Sequence, residues 1–257
     1  MINQYKTRRR PEKEMIFGVR AVIEAIQSGK EIEKILLRKN ISNETRRQLF
    51  QTIKDLQIPV QFVPEEKLNT ITNKNHQGVI AYISPISYQS IENIIPQIYE
   101  EGRMPFVVVL DEITDVRNFG AIARTCEGGK VDAIIIPARG SASINADAIK
   151  TSAGALFSMP ICRANNLENT LKFLLDSGLK LVAATEKADK NYTEVSYKEP
   201  IALVMGAEDK GIRSELLSLC EEKVRIPMLG KIESLNVSVA AGILIYEVVR
   251  QRNLNSI

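Results

Sequence analysis

FVVVLDEITDVRNFGAIARTCEGGKVDAIIIP, residues 106–137, decides how the second half of this chain is read. FVVVLD (106–111) is a run of branched residues without polar alternation, the pattern of a strand buried on both faces. Asn118 suits the cap of a helix, FGAIARTCEGG (119–129), because its side chain can accept from the first unpaired amides. Gly128-Gly129 ends that helix. VDAIIIP (131–137) is a second buried strand. Strand, helix and strand make a βαβ unit, whose crossover sets the two strands parallel.

The same alternation continues downstream. The pattern predicts helices over 145–156 and 166–177, a short strand near 159–163, and strands in LKLVAAT (179–185), IALVMG (201–206) and KVRIPM (223–228). NVSVAAGILIYEVVRQR (236–252) is a final helix, apolar over several turns and almost all round, so it is expected to be buried, with a subunit interface as one place for it. Residues 105–257 therefore read as an α/β domain with a mostly parallel sheet. Upstream, FGVRAVIEAIQSGK (17–30), NETRRQLFQTIKDLQ (43–57) and PEEKLNTIT (64–72) read as helices, the last with Pro64 suited to its first turn. KILLRK (34–39), IPVQFV (58–63) and GVIAYIS (78–84) read as strands. Residues 15–84 are thus a small α/β domain, and 85–104, rich in proline, a linker with a short helix near 90–101.

Composition narrows the function. The 257 residues carry 34 Lys and Arg against 31 Asp and Glu. The whole excess of +3 lies in residues 1–15, so 1–14 read as a basic, flexible arm on a neutral body. Cys126, Cys162 and Cys220 are far apart and form no CxxC pair, which fits a reducing cytoplasm. His76 is the only histidine, against a His-rich metal site or a Ser-His-Asp triad, and no metal is expected. Its bland reading is structural, with RNA contact as the alternative. No apolar run reaches a membrane-spanning length, and the N-terminus lacks a secretory signal's apolar core. Aromatics are 5% with no Trp, so extensive base stacking is not expected.

Ligands of open parallel sheets bind beyond the carboxyl ends of the strands. No G-x-G-x-x-G and no G-x-x-x-x-G-K-[ST] occurs there, which disfavours a Rossmann oxidoreductase and an NTPase. The glycine-rich loops come late, as GAEDKG (206–211) and PMLGKIESLN (227–236). Ser234 and Asn236 can cap the last helix.

NFGAIAR (118–124), LVMGAEDKG (203–211) and IPMLGKIESLNVSVA (226–240) resemble the three motifs of the SpoU (TrmH-type) RNA ribose 2′-O-methyltransferases of the SPOUT superfamily, in order and at the right spacing. IFGVRAVIEAI (16–26) and NHQGVIA (75–81) resemble the ribosomal-protein-like RNA-binding domain of the RlmB subgroup, which methylates a guanosine ribose of 23S rRNA. One departure is the segment Asp115-Val116-Arg117-Asn118, where members often have Asp-Pro two residues before the motif's Asn. The resemblance implies a SPOUT domain with a deep trefoil knot, and S-adenosylmethionine as cofactor. It implies that Gly206, Ile226, Leu235, Thr185 and Gly230 hold the cofactor. It places Arg124, Asn118, Glu208, Ser234 and Asn236 at the catalytic centre, with Glu208 orienting Arg124 within the chain or across a dimer. It also implies a homodimer built through the C-terminal helix, RNA as partner and no membrane. A tRNA ribose methyltransferase and a non-catalytic ribosome-assembly protein are the alternatives.

Overall fold

The computed structural model describes residues 14–54 and 56–253, in two compact units divided after Pro85. The basic arm falls almost wholly outside the described residues.

The first unit runs β1 (Met15–Phe17), α1 (Val19–Gln27), β2 (Ile32–Arg38), α2 (Asn43–Thr52), β3 (Val60–Val63), α3 (Glu65–Asn69) and β4 (Val79–Ile83). Its sheet has the order β1-β4-β2-β3, with β2 and β3 parallel and the other pairs antiparallel. Alternation along β2 splits the core. Ile35 and Leu37 meet Val22, Ile26 and Leu49 of α1 and α2, while Leu36 meets Leu68 of α3. Three expectations need correction. Met15–Phe17 is a strand, and Gly18 at φ 91° breaks the chain out of it before α1 begins. α2 stops at Thr52, so Leu56 is exposed and does not share its buried face. Pro64 precedes α3 as its N-cap and is not in its first turn.

His76 is buried and structural. Its Nδ1 accepts from the Gly78 amide at 3.0 Å, and Nε2 lies 2.8 Å from Asn69 Oδ1. It braces the turn in which Gln77 and Gly78 have φ of 50° and 81°.

The second unit runs β5 (Tyr88–Gln89), α4 (Ile91–Glu100), β6 (Phe106–Asp111), α5 (Val116–Gly128), β7 (Ala133–Pro137), α6 (Ala146–Thr151), β8 (Ile161–Ala164), α7 (Leu167–Asp176), β9 (Lys180–Ala184), β10 (Lys190–Asn191), β11 (Ile201–Gly206), α8 (Ser214–Leu217), β12 (Glu222–Arg225) and α9 (Val237–Asn253). The sheet order is β10-β12-β9-β11-β6-β7-β8-β5, and every neighbouring pair is parallel. β6 is buried on both faces as its composition requires. Val108 and Leu110 face α5 and α9, while Val107 and Val109 face α4 and α7.

The segment 85–104 is not a linker beyond Pro85. β5 pairs with β8, and α4 buries Ile91, Ile94, Ile95 and Ile98 in the core of the second unit. The helix expected near 90–101 is α4, its isoleucines recurring at helical spacing; what the linker reading missed is that they are buried in the second unit's core. The helix read over 145–156 ends at Thr151, where Ala153 and Gly154 take positive φ. β10 and α8 are too short for a periodic signature.

α9 is buried on one face, through Ala241, Leu244, Ile245 and Val248, while Val239 and Tyr246 are exposed. Its approach to α5 is close. A Cβ on Gly129 would lie 2.5 Å from Ile245 Cγ2. Gly129→Ala is therefore expected to destabilise the fold by about 1–3 kcal/mol. Ile245→Leu, which removes the β-branch at the contact, should recover part of that loss in urea titrations of the double variant.

Candidate active site

Parallel strands bring the ends of β6, β9, β11 and β12 to one edge. There β11 stops at Gly206 and the chain doubles back, with Ala207 and Gly211 bridged and the Gly211 amide donating to the Ala207 carbonyl at 2.8 Å. A Cβ on Gly206 would overlap the backbone of Gly211 and Ile212, so only glycine fits. The returning loop is clasped from β6. Asp111, fully buried, accepts from the Arg213 amide at 2.9 Å and from its guanidinium at 2.9 and 2.8 Å. The hydrogen bonds to Asp111 raise the Arg213 pKa above its ordinary value, so the cation persists. This clasp was not visible in sequence, because its partners are 102 residues apart.

Behind the loop lies a cavity with an empty volume of about 700 Å³, including its open mouth. Met205, Val224, Val237, Ala240 and Leu244 give it an apolar floor. Glu186, Glu208, Glu233 and Ser234 give it a polar, anionic rim. Thr185, Gly206, Ile226 and Leu235 line it, as the motif resemblance implied. Gly230 does not: it is exposed and away from the cavity, with open space where a Cβ would be.

Beside the cavity, one carboxylate oxygen gathers three donors. Glu208 Oε1 accepts from Asn118 Nδ2 at 3.1 Å, Asn236 Nδ2 at 2.6 Å and the Val237 amide at 3.0 Å. Asn236 Nδ2 also donates to Asn118 Oδ1 at 3.0 Å. The carboxylate thus sits at the N-terminus of α9, where helix dipole and free amides favour a negative charge. Asn236 is the N-terminal cap, its Oδ1 accepting from the Ser238 amide at 3.0 Å.

Asn118 is not the cap of α5. Asp115 is, accepting from the amides of Arg117 and Asn118 at 2.9 and 2.8 Å. Aspartate caps as well as asparagine, and it comes first in the chain. The consequence is chemical, since Asn118 keeps its side chain for the network. Ser234 lines the cavity mouth and does not cap α9. Arg124 stays outside. It is exposed on α5, makes no hydrogen bond or ion pair among the described residues, and does not line the cavity. In a single chain Glu208 therefore holds Asn118 and Asn236, not Arg124.

The cysteines are buried, which pushes the thiols of Cys162 and Cys220 up to about 12 and that of Cys126 up further. None is a thiolate nucleophile near neutral pH. Among the described residues no cluster of three or more His, Cys, Asp or Glu could hold a metal, and no helix is long and apolar enough to cross a membrane.

Residues 105–246 match the SpoU rRNA methylase family, and residues 15–89 match the RNA 2′-O ribose methyltransferase substrate-binding family. The chain belongs to the SpoU rRNA methylase family. A Staphylococcus saprophyticus protein assigned to the TrmH family of tRNA/rRNA methyltransferases is 36% identical, over 94% of this chain and 97% of its own. The crystal structure of an AdoMet-bound rRNA methyltransferase from Sinorhizobium meliloti covers 92% of this chain and 86% of that one, at 28% identity and TM-score 0.59. A TrmH/SpoU tRNA-modifying enzyme of A. aeolicus covers 64% of this chain and 85% of its own, at 31% identity and TM-score 0.54.

This SpoU methylase is an S-adenosylmethionine-dependent RNA methyltransferase. Its cavity fits that cofactor. An apolar floor suits an adenine ring, the Gly206 turn lets backbone approach closely, and the anionic rim suits the positive charges of the sulfonium and amino groups. Gly206→Ala is expected to weaken S-adenosylmethionine binding at least tenfold by calorimetry. Gly230→Ala should leave it within twofold.

Proposed function

We propose that this SpoU methylase methylates the ribose 2′-hydroxyl of a guanosine in 23S rRNA. The observation that carries the rRNA reading is the two-unit layout. Likeness to the S. meliloti rRNA enzyme extends over 92% of the chain, whereas likeness to the A. aeolicus tRNA-modifying enzyme extends over 64%. The second reading, the same chemistry on tRNA, has the names of the curated relatives in its favour, since these cover both substrates. The complete Gly206 turn and the Asn118–Glu208–Asn236 network weigh against a non-catalytic assembly protein.

Bound S-adenosylmethionine supplies an electrophilic methyl group on sulfur. The chain's task is to bring a 2′-oxygen in line with it, and such placement provides much of the rate. Glu208 holds the Asn118 and Asn236 amides in one orientation beside the cavity mouth. The Arg124 guanidinium offers several N–H donors and no acceptor. In this reading it stabilises charge growing on the 2′-oxygen and pairs with the adjacent phosphate. Because Arg124 stands apart from its own cavity and network, we assign it to the cavity of a second subunit. The exposed Val239 and Tyr246 of α9 supply apolar surface for the homodimer that this requires. α9 returns from β12, near one end of the sheet, to pack on α5, a path compatible with the trefoil knot of SPOUT domains. In this reading the site of action is the cytoplasm, where thiols stay reduced.

Arg124→Ala should lower turnover about 100-fold or more, with S-adenosylmethionine affinity within twofold, and Arg124→Lys should recover little of it. Refolding Arg124→Ala together with Gly206→Ala tests the shared site. Mixed dimers regain activity if Arg124 serves the partner's cavity, and stay inactive if it serves its own. Mapping 2′-O-methyl groups in cells lacking the protein should show one lost from 23S rRNA and none from tRNA.

A further inference from the structure

α2 and β3 leave two aromatic rings in solvent. Phe50 is 38% exposed and Phe62 is 37% exposed, although their neighbours Leu49 and Val63 are buried. The ring centroids are 6.4 Å apart and the planes 12° from parallel. Arg46, one turn before Phe50 on α2, places its guanidinium 5.2 Å from the Phe62 centroid and 5.8 Å from that of Phe50. β3 is the edge strand of its sheet. Neither ring belongs to the core clusters of the first unit, so burial does not explain the pair. On the α2 side, Arg46, Arg47 and Lys54 are exposed over 43–54, against Glu44.

We propose that Phe50, Phe62 and Arg46 form a stacking site for one unpaired base of the RNA substrate, with Arg47 and Lys54 placed for the flanking phosphates. The proposal rests on the reading of the first unit as an RNA-binding module. Aromatic rings and guanidinium planes accept the face of any base, and stacking of this kind tolerates sequence. Adjacent cations neutralise the backbone that carries the base. Protein interface cores are depleted in charge, whereas here the Arg46 guanidinium lies against both rings and Arg47 and Lys54 are exposed on the same segment, which favours RNA over a protein partner. With 5% aromatics and no Trp the chain cannot line a long stacking groove, but one base needs only this pair.

The test is binding of a labelled stem–loop RNA and of a blunt duplex of equal length across a salt series. Phe50→Ala and Phe62→Ala should each weaken stem–loop binding about tenfold, leaving duplex binding and the salt slope unchanged. Phe62→Tyr, which keeps a ring, should bind as the wild type does. Arg47→Ala, which removes a cation assigned to phosphate, should weaken binding and lower the salt slope by about one. Phe62→Leu keeps apolar cover without a ring face, so it serves if either alanine variant fails to fold, as judged by thermal unfolding. Unchanged stem–loop affinity in Phe62→Leu would overturn the site and leave the rings to a protein contact. Equal loss on stem–loop and duplex would overturn it in favour of a structural role. A wild-type enzyme that binds neither RNA would overturn the underlying reading of the first unit, and the site with it.

Discussion

One carboxylate oxygen, Glu208 Oε1, joins two distant parts of the chain to its own loop. It receives the side chain of Asn118 from α5, that of Asn236 from the cap of α9, and the first amide of α9 itself. The loop that carries Glu208 also carries the Gly206 turn, and α9 supplies part of the cavity floor. The network's side-chain hydrogen bonds are exposed to solvent, so they add little to stability. Its effect is geometric. It fixes how the entry to α9 stands against the ends of β11 and α5, and hence the shape of the cavity mouth.

The supports of that geometry are steric and ionic. Gly206 lets its own loop fold onto the strand end, and no side chain could share that space. The buried Asp111 holds Arg213 by backbone and guanidinium together, which ties the far end of the same loop to β6. Removing Arg213 would leave the fully buried Asp111 carboxylate uncompensated, so the clasp resists drift. Gly129 and Gly120 act at the other side of α5, allowing α9 and α6 to approach within the width of a side chain. α5 is thus held between two helices, with Asn118 facing the network and Arg124 facing solvent.

The capping of α5 shows why some roles were legible and others were not. Local rules identified a helix start near Asn118, and Asp115 and Asn118 both satisfied them. Only the three-dimensional neighbourhood of Asn118 shows that its amide is engaged 90 residues away, at Glu208. The linker misreading has a similar cause. Prolines and a glycine at 85–105 looked like a boundary, while the isoleucine stripe of α4 had its complement in β7 and α7, far along the chain. Gly230 was assigned by its place in a motif, and the loop carries it away from the cavity that its neighbours line.

By itself, the sequence determined the alternation of branched strands and amphipathic helices, the parallel character of the second unit and the three motifs that name the family. The motif resemblance proposed Thr185, Gly206, Ile226 and Leu235 as cofactor residues, and all four line the cavity. These are local or nearest-neighbour properties: periodicity, turn chemistry and short motifs. The tertiary structure decided what depends on distance across the fold. It chose Asp115 over Asn118 as the cap, paired Asp111 with Arg213 and separated Arg124 from Glu208. It also left Phe50 and Phe62 together in solvent. The physical reason is that a side chain's partner is set by which surfaces the chain brings within a few ångströms, and residues 90 or 102 positions apart carry no mark of that meeting in the sequence.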